Sequence, residues 1–336
     1  MSQALGQPQA VLDVVDPAVT PARRRGPGFP RSGKFVVGAL LIAFFVVMGL
    51  VGPLVAPHDP SALSNDVLSP PSADHWLGTT QTGQDVFSQL LSGTQQTLLI
   101  GLVAGVIATA LSAVVGIAGG FVGGVFDEVL SLVTNVFLVL PALPLLIVLT
   151  GYLPSAGPVV VGVVISVTGW AWGARVLRAQ TLTLRGREYI NAARVAGDPT
   201  WRIVLFEILP NERAILASSF IGTILFAILT QVGLAFLGLV DVSQWSWGVM
   251  LYWAQQGGAL ASGAWWWFLP PGLCIAILGT GLSLANFGLD EFLNPRLRTA
   301  RRGRAGTETG FTPVRRTGPS RDVIRSRELA REREAR

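Results

Sequence analysis

Apolar runs long enough to cross a bilayer constrain this chain more than any other feature. A spanning helix needs about 20 residues, and such runs can be read at about 35 to 56, 97 to 124, 126 to 150, 158 to 176, 214 to 240 and 265 to 289. Half of the 336 residues are hydrophobic and only 13% are charged, a balance foreign to soluble domains of this length. The chain therefore reads as an all-α membrane protein of about six spans. The second and third runs are separated only by Gly123-Gly124 and the acidic pair Asp127-Glu128, so five or seven spans stay open at this stage.

Basic residues set the expected orientation, because cytoplasmic loops retain Lys and Arg. With six spans and the N-terminus inside, the external segments are roughly 57 to 96, 151 to 157 and 241 to 264, and none contains a Lys or Arg. All 25 basic residues lie in the N-terminal stretch through Lys34, between Arg175 and Arg213, or from Arg296 onward. Both termini are accordingly expected in the cytoplasm. The expected organisation is a basic tail (1–34), a first span with its external segment (35–96), a transmembrane core (97–295) and a charged cytoplasmic tail (296–336). Both tails have few apolar side chains to bury and read as loosely ordered, the C-terminal one with a charged surface helix that touches lipid or a partner.

The same charge pattern excludes other classes. The net charge of +5 follows from membrane topology, and no basic patch with interleaved aromatics marks a nucleic-acid site. The first run lies behind about 34 residues and lacks a small-x-small cleavage site, so it reads as a retained anchor and not a signal peptide. Gly28 to Lys34 fits G-x-x-x-x-G-K, but Phe35 stands where a hydroxyl would hold magnesium, and Pro27 and Pro30 oppose a preceding strand. No nucleotide site, cofactor or catalytic residue is expected. The single Cys274 can form no intramolecular disulfide and reads as a packing residue.

Ionisable groups inside the bilayer are costly and mark proton or sodium pathways. The central turns of the second, third, fifth and sixth runs have none, so energy for transport is expected from outside the chain. An intramembrane enzyme would need a nucleophile and base or a set of metal ligands. His58 and His75, the only histidines, could meet a metal with Asp59 and Asp74, but read first as ordinary loop histidines.

Against this background the passage REYINAARVAGDPTWRIVLFEILPN, residues 187 to 211, stands out as polar and two-part. Glu188 to Ala196 favours helix, with Glu188 at the positive end of the dipole, and Gly197 is a natural stop. Asp198 can cap a second helix with Pro199 at its first position, running through Trp201 to about Leu209. Ala192 and Ala193 offer a small-residue surface to another protein, while Ile203, Val204, Phe206 and Leu209 can lie on the membrane domain. An amphipathic helix merely resting at the interface fits the spacing equally well.

Ala192-Ala193, three residues, Gly197 and then Leu209-Pro210 resemble the cytoplasmic EAA loop of binding-protein-dependent ABC importer permeases. The similarity extends to PSADHWLGTTQTGQDVFSQLL from Pro71, AFLGL at Ala235, SWGVML at Ser246 and NPRLR at Asn294. Over about residues 35 to 300 the chain resembles the C-type subunit of the dipeptide/oligopeptide permease family. That resemblance implies a six-helix core paired with a second homologous permease subunit, two cytoplasmic ABC ATPase subunits and an external substrate-binding protein. It also implies that Glu188, Ala192, Ala193, Arg194, Gly197, Leu209 and Pro210 carry the ATPase coupling. The chain departs from the pattern at Asn191 in place of the EAA Glu, Glu207 in place of a common His, and Thr80, Gln84 and Gln89 in place of Asp, Arg and Arg. A Trp- and Gln-rich stretch after AFLGL keeps an oligosaccharide importer of the same family open beside small-peptide import; a carrier or channel working without ATPases is the alternative from a different class.

Overall fold

The computed structural model describes residues 33–153 and 157–293, and among them the apolar runs are helices without strands. The elements are α1 (Gly33–Val55), α2 (Val86–Val122), α3 (Gly124–Val139), α4 (Ala142–Gly151), α5 (Pro158–Arg185), α6 (Glu188–Val195), α7 (Thr200–Ile203), a π-helical turn (Val204–Ile208), α8 (Leu209–Phe236), α9 (Trp247–Gln256) and α10 (Trp265–Leu293). Five continuous helices are long and apolar enough to cross a membrane, and α3 with α4, bent by 87°, makes a sixth if the pair is one span. Both tails and the NPRLR motif lie outside the described residues, as do residues 28 to 32 of the G-x-x-x-x-G-K match; Gly33 and Lys34 open α1.

The second span starts earlier than its hydropathy predicts. Asp85 caps α2, its carboxylate accepting the Ser88 amide at 2.8 Å, so residues 86 to 96, assigned to the external segment, are helical. Polar residues masked this turn of sequence. Thr94 and Thr97 return their hydroxyls to the carbonyls four residues back and are completely buried. The third run, expected as one helix, breaks at Leu140-Pro141. Pro141 has no amide for a helical bond and biases Leu140 to the extended conformation it shows.

Small residues govern how the long helices meet. A Cβ on Gly116 of α2 would stand 2.5 Å from the Ala174 carbonyl oxygen of α5, and one on Gly120 2.8 Å from Thr181 Cβ. Backbones therefore approach closely, as is usual where lipid removes the hydrophobic drive between helices. The Ser112 hydroxyl donates from this seam, lying 2.7 Å from the Ala108 carbonyl on its own helix and 2.6 Å from the Trp170 carbonyl on α5. On the other flank α1 lies along α10, with Gly38 facing the Gly281 and Ala285 backbone.

The segment expected outside at 241 to 264 contains α9, a short helix tucked against the core. Ser246 caps it and accepts an amide hydrogen from Gln231 of α8 at 2.9 Å. Trp247 is fully buried, donates its indole N–H to Thr94 at 3.1 Å and meets Phe45 edge-on. SWGVML is thus a packing motif that joins α9 to α1, α2 and α8.

Candidate functional site

The polar passage forms a helical loop between α5 and α8. Its first helix, α6, is fixed at three points. Ile190 is fully buried among Ile117, Leu177 and Leu184. The Arg194 guanidinium sits 5.0 Å above the Phe121 ring at the end of α2, a cation–π arrangement. At the helix end, Gly197 donates to the Arg194 carbonyl at 3.0 Å and Asp198 to the Ala193 carbonyl at 3.1 Å, the paired bonds of a Schellman stop. Gly197 has φ +84° with open space around its missing Cβ, so the backbone angle and not crowding selects glycine.

What α6 presents outward is equally defined. Glu188, Ala192 and Val195 are exposed, Val195 by 90%, whereas Ala193 is half-buried on the Ile117–Phe121 cluster. The two alanines expected to form one small surface are therefore split, Ala192 facing out and Ala193 partly in. Leu209 and Pro210 lie at the base of α8, where Leu209 packs on the same cluster as Ala193. They line an apolar groove of about 650 Å³ between α2 and α8 with Ala113, Leu216 and Phe220. The residues assigned to coupling thus fall into an α6 group, comprising Glu188, Ala192, Ala193, Arg194 and Gly197, and a pair at the base of α8 that reaches the same cluster through Leu209.

The second half of the loop differs from its sequence reading in two ways. Pro199, not Asp198, occupies the cap position of α7, with no side-chain cap bond, while Asp198 pairs with Arg202 one turn on. An ion pair to Arg202 has claimed the carboxylate that would have capped the helix. The helix also does not end near Leu209. It runs on into α8 through a π turn in which the Leu209 amide reaches back to the Val204 carbonyl, one residue before Pro210, which has no amide to offer. That wider turn brings Ile203 and Ile208, five residues apart, to the same buried face. Phe206, expected against the membrane domain, is 65% exposed instead, as is Trp201 at 61%.

One contact at the loop's base had no signal in the sequence. Glu212 is completely buried, and its Oε1 accepts the Thr181 hydroxyl at 2.6 Å. This bond ties the start of α8 to the end of α5, closing the loop between them. Nothing in NERAIL identifies a partner thirty-one residues upstream, so only the fold could disclose it.

A second feature lies at the 57–96 segment, where the three departures from the family pattern are neighbours. Thr80 Oγ1 accepts the Gln84 amide at 3.1 Å, and the Gln89 side-chain amide donates to Gln84 Oε1 at 3.0 Å and to the Pro60 carbonyl at 3.1 Å. A neutral network thus occupies positions where charges are common in the family it resembles. With Ser61, Gln81, Trp245, Trp253 and Trp267 it lines a cavity of about 300 Å³ whose walls are uncharged.

These helices and this loop define a multi-pass membrane permease. Residues 112–299 match the family described as the binding-protein-dependent transport system inner membrane component. The chain is 34% identical over 270 residues to the dipeptide transport system permease protein DppC of Bacillus subtilis, covering 78% of this chain and 82% of that protein. It is 34% identical over 276 residues to the oligopeptide transport system permease protein OppC of Mycobacterium tuberculosis, covering 81% and 93%. It is 33% identical over 275 residues to OppC of Bacillus subtilis, covering 80% and 88%. The chain belongs to the binding-protein-dependent inner-membrane permease family, whose members are membrane components of ABC importers and not enzymes.

Proposed function

We propose that this chain forms half of the translocation pathway of an ATP-driven importer of small peptides. It pairs with a second homologous permease subunit, receives substrate from an external binding protein and couples through α6 to two cytoplasmic ATPase subunits. Both termini and the α6 loop lie in the cytoplasm in this reading, supported by the absence of Lys and Arg from residues 57–96 and 241–264. The observation that carries the coupling is that α6 is held from behind by Ile190, Arg194 and the Gly197 stop while Ala192 and Val195 stay uncovered. A rigid helix with an uncovered small-residue face can pass a push from an ATPase groove to α5 and α8 without bending. The relatives named for dipeptide and oligopeptide transport support the substrate class.

A second substrate reading rests on the uncharged cavity with Trp245, Trp253 and Trp267 beside Gln84 and Gln89. Indole faces and amides suit sugar rings, which favours an oligosaccharide. Uptake of labelled di- and tripeptides and of oligosaccharides by cells with and without this chain decides between them. Loss of peptide uptake alone supports the proposal, loss of oligosaccharide uptake alone supports the second reading, and loss of neither refutes both.

A further inference from the structure

His58, His75 and Asp85 come from three separate points in the sequence and converge at the capped start of α2. One ligand atom from each lies within 4.8 Å of the other two. His75 Nδ1 is 2.9 Å from Asp85 Oδ1, and His58 Nδ1 is 4.0 Å from Asp85 Oδ2. The imidazole rings sit 4.9 Å apart. Asp59 and Asp74 neighbour these histidines in sequence, but the fold supplies Asp85 instead, with Asp66 Oδ2 3.8 Å from His75 Nε2.

The arrangement is more than a helix cap. Asp85 Oδ2 satisfies the cap alone, accepting the Ser88 amide at 2.8 Å and the Ser88 hydroxyl at 2.7 Å. Oδ1 meets only His75 among the described contacts. An imidazole Nδ1–H donating to a carboxylate oxygen accounts for the 2.9 Å contact, and a metal ion bound here takes the place of that hydrogen. Asp66 Oδ2 lies on the far side of His75, outside hydrogen-bond range of Nε2, but near enough to take up the outer-carboxylate position that orients a ligating histidine once Nδ1 holds an ion. His58 is anchored through its backbone, its amide donating to the Ser88 hydroxyl at 3.2 Å, while its side chain is 42% exposed. It can swing inward and leaves a route for an ion.

From this geometry we infer that His58, His75 and Asp85 form a binding site for one first-row divalent transition-metal ion of the zinc, copper or nickel type. Two imidazoles and a carboxylate suit such ions, whereas calcium and magnesium prefer oxygen ligands alone. At metal–ligand distances of about 2.0 to 2.2 Å, closure of the cluster around an ion takes a movement of about 1 Å, which the exposed His58 ring can supply. His75 and Asp85 are already in place and buried. Occupied, the site staples the residues following α1 to the N-terminus of α2, leaving a coordination position open to solvent beside His58.

The chain has no other histidine and one cysteine in α10, which makes the test clean. The full chain, purified in detergent with a histidine-free tag, is titrated with Zn²⁺ and separately loaded with Cu²⁺ for electron paramagnetic resonance. We expect one Zn²⁺ per chain, a tenfold or greater loss of affinity in His58→Gln, unchanged affinity in Asp59→Asn and Asp74→Asn, and nitrogen couplings from two imidazoles in the Cu²⁺ spectrum of the wild-type chain. Absence of stoichiometric Zn²⁺ binding, or equal affinity in His58→Gln, overturns the site. Should His58→Gln not fold, the wild-type Cu²⁺ spectrum decides by itself: two imidazole nitrogens uphold the site, and fewer refute it.

Discussion

Removing the Thr181 hydroxyl tests how the loop between α5 and α8 is closed at its base. Thr181 and Glu212 are both completely buried, 2.6 Å apart, and Glu212 Oε2 has no partner among the described residues. Thr181→Val keeps the shape of the side chain but leaves the Glu212 carboxyl without its hydrogen bond. A hydrogen bond contributes about 0.5–1.5 kcal/mol net, and a stranded buried donor or acceptor costs about 1–3 kcal/mol. Because the other oxygen is already unpartnered, the loss should fall in the upper part of that range, about 2–3 kcal/mol, or roughly a 30- to 150-fold change in the unfolding constant. Replacing both partners, as in Thr181→Val with Glu212→Met, removes the stranded group and should return stability to within about 1 kcal/mol of wild type. Graded unfolding in mixed micelles, followed by the fluorescence of the ten tryptophans, measures both. A Thr181→Val chain within about 0.5 kcal/mol of wild type, or a double variant no better than the single one, would refute the reasoning.

Other outcomes follow from the same structure. Cysteines placed at Ser72 and Gln255 in a Cys274→Ala background should react with an impermeant thiol reagent on intact spheroplasts; labelling only after permeabilisation would reverse the proposed topology. Gly116→Val should cost about 1–3 kcal/mol by overpacking, since its branch must displace the Ala174 carbonyl, and a thermal midpoint equal to wild type would show that α2 and α5 can part without penalty. Gly197→Ala should cost about 1 kcal/mol through its left-handed backbone, with open space around it, and lower uptake more than expression; normal uptake would separate the turn from coupling. Ala192→Glu should spare folding, because Ala192 is exposed, yet weaken co-purification of the ATPase subunits. Ala193→Glu should also disturb the Phe121 cluster, so equal stability losses in the two variants would contradict the split of the alanine pair.

Much of the architecture was legible because lipid enforces long apolar helices, and hydropathy reports those directly. The misses have local causes. The first turns of α2 carry Ser88, Gln89, Thr94 and Thr97, whose polarity conceals a helix: Ser88, Thr94 and Thr97 are satisfied through Asp85 and α2 carbonyls, and Gln89 donates to Gln84 and Pro60 in the preceding segment. Leu140-Pro141 lies in a run of unbroken hydropathy, so only the proline could have announced the 87° bend. In the loop, Gly197 was readable because glycine at a helix end has one main physical cause. The π turn was not, since Ile203 and Ile208 are mutually inward only after the extra residue is inserted. The placement of Phe206 failed for the same reason. The His58–His75–Asp85 cluster depends on the fold of the segment between α1 and α2, where Gly78 and Gly83 turn the chain back on itself, and no short-range spacing encodes it.

The central claim, that α6 meets the ATPase, is tested most directly by crosslinking. A single cysteine at Ala192, in the Cys274→Ala background of the assembled transporter, is treated with a short bifunctional thiol reagent against cysteines placed along the groove of the ATPase subunit. If α6 seats on the ATPase, Ala192→Cys gives a permease–ATPase adduct whose yield changes when ATP is bound, and a cysteine at Ser72 gives none. An Ala192→Cys chain that forms no adduct with the ATPase, while reacting with impermeant reagent from outside the cell, would contradict that claim.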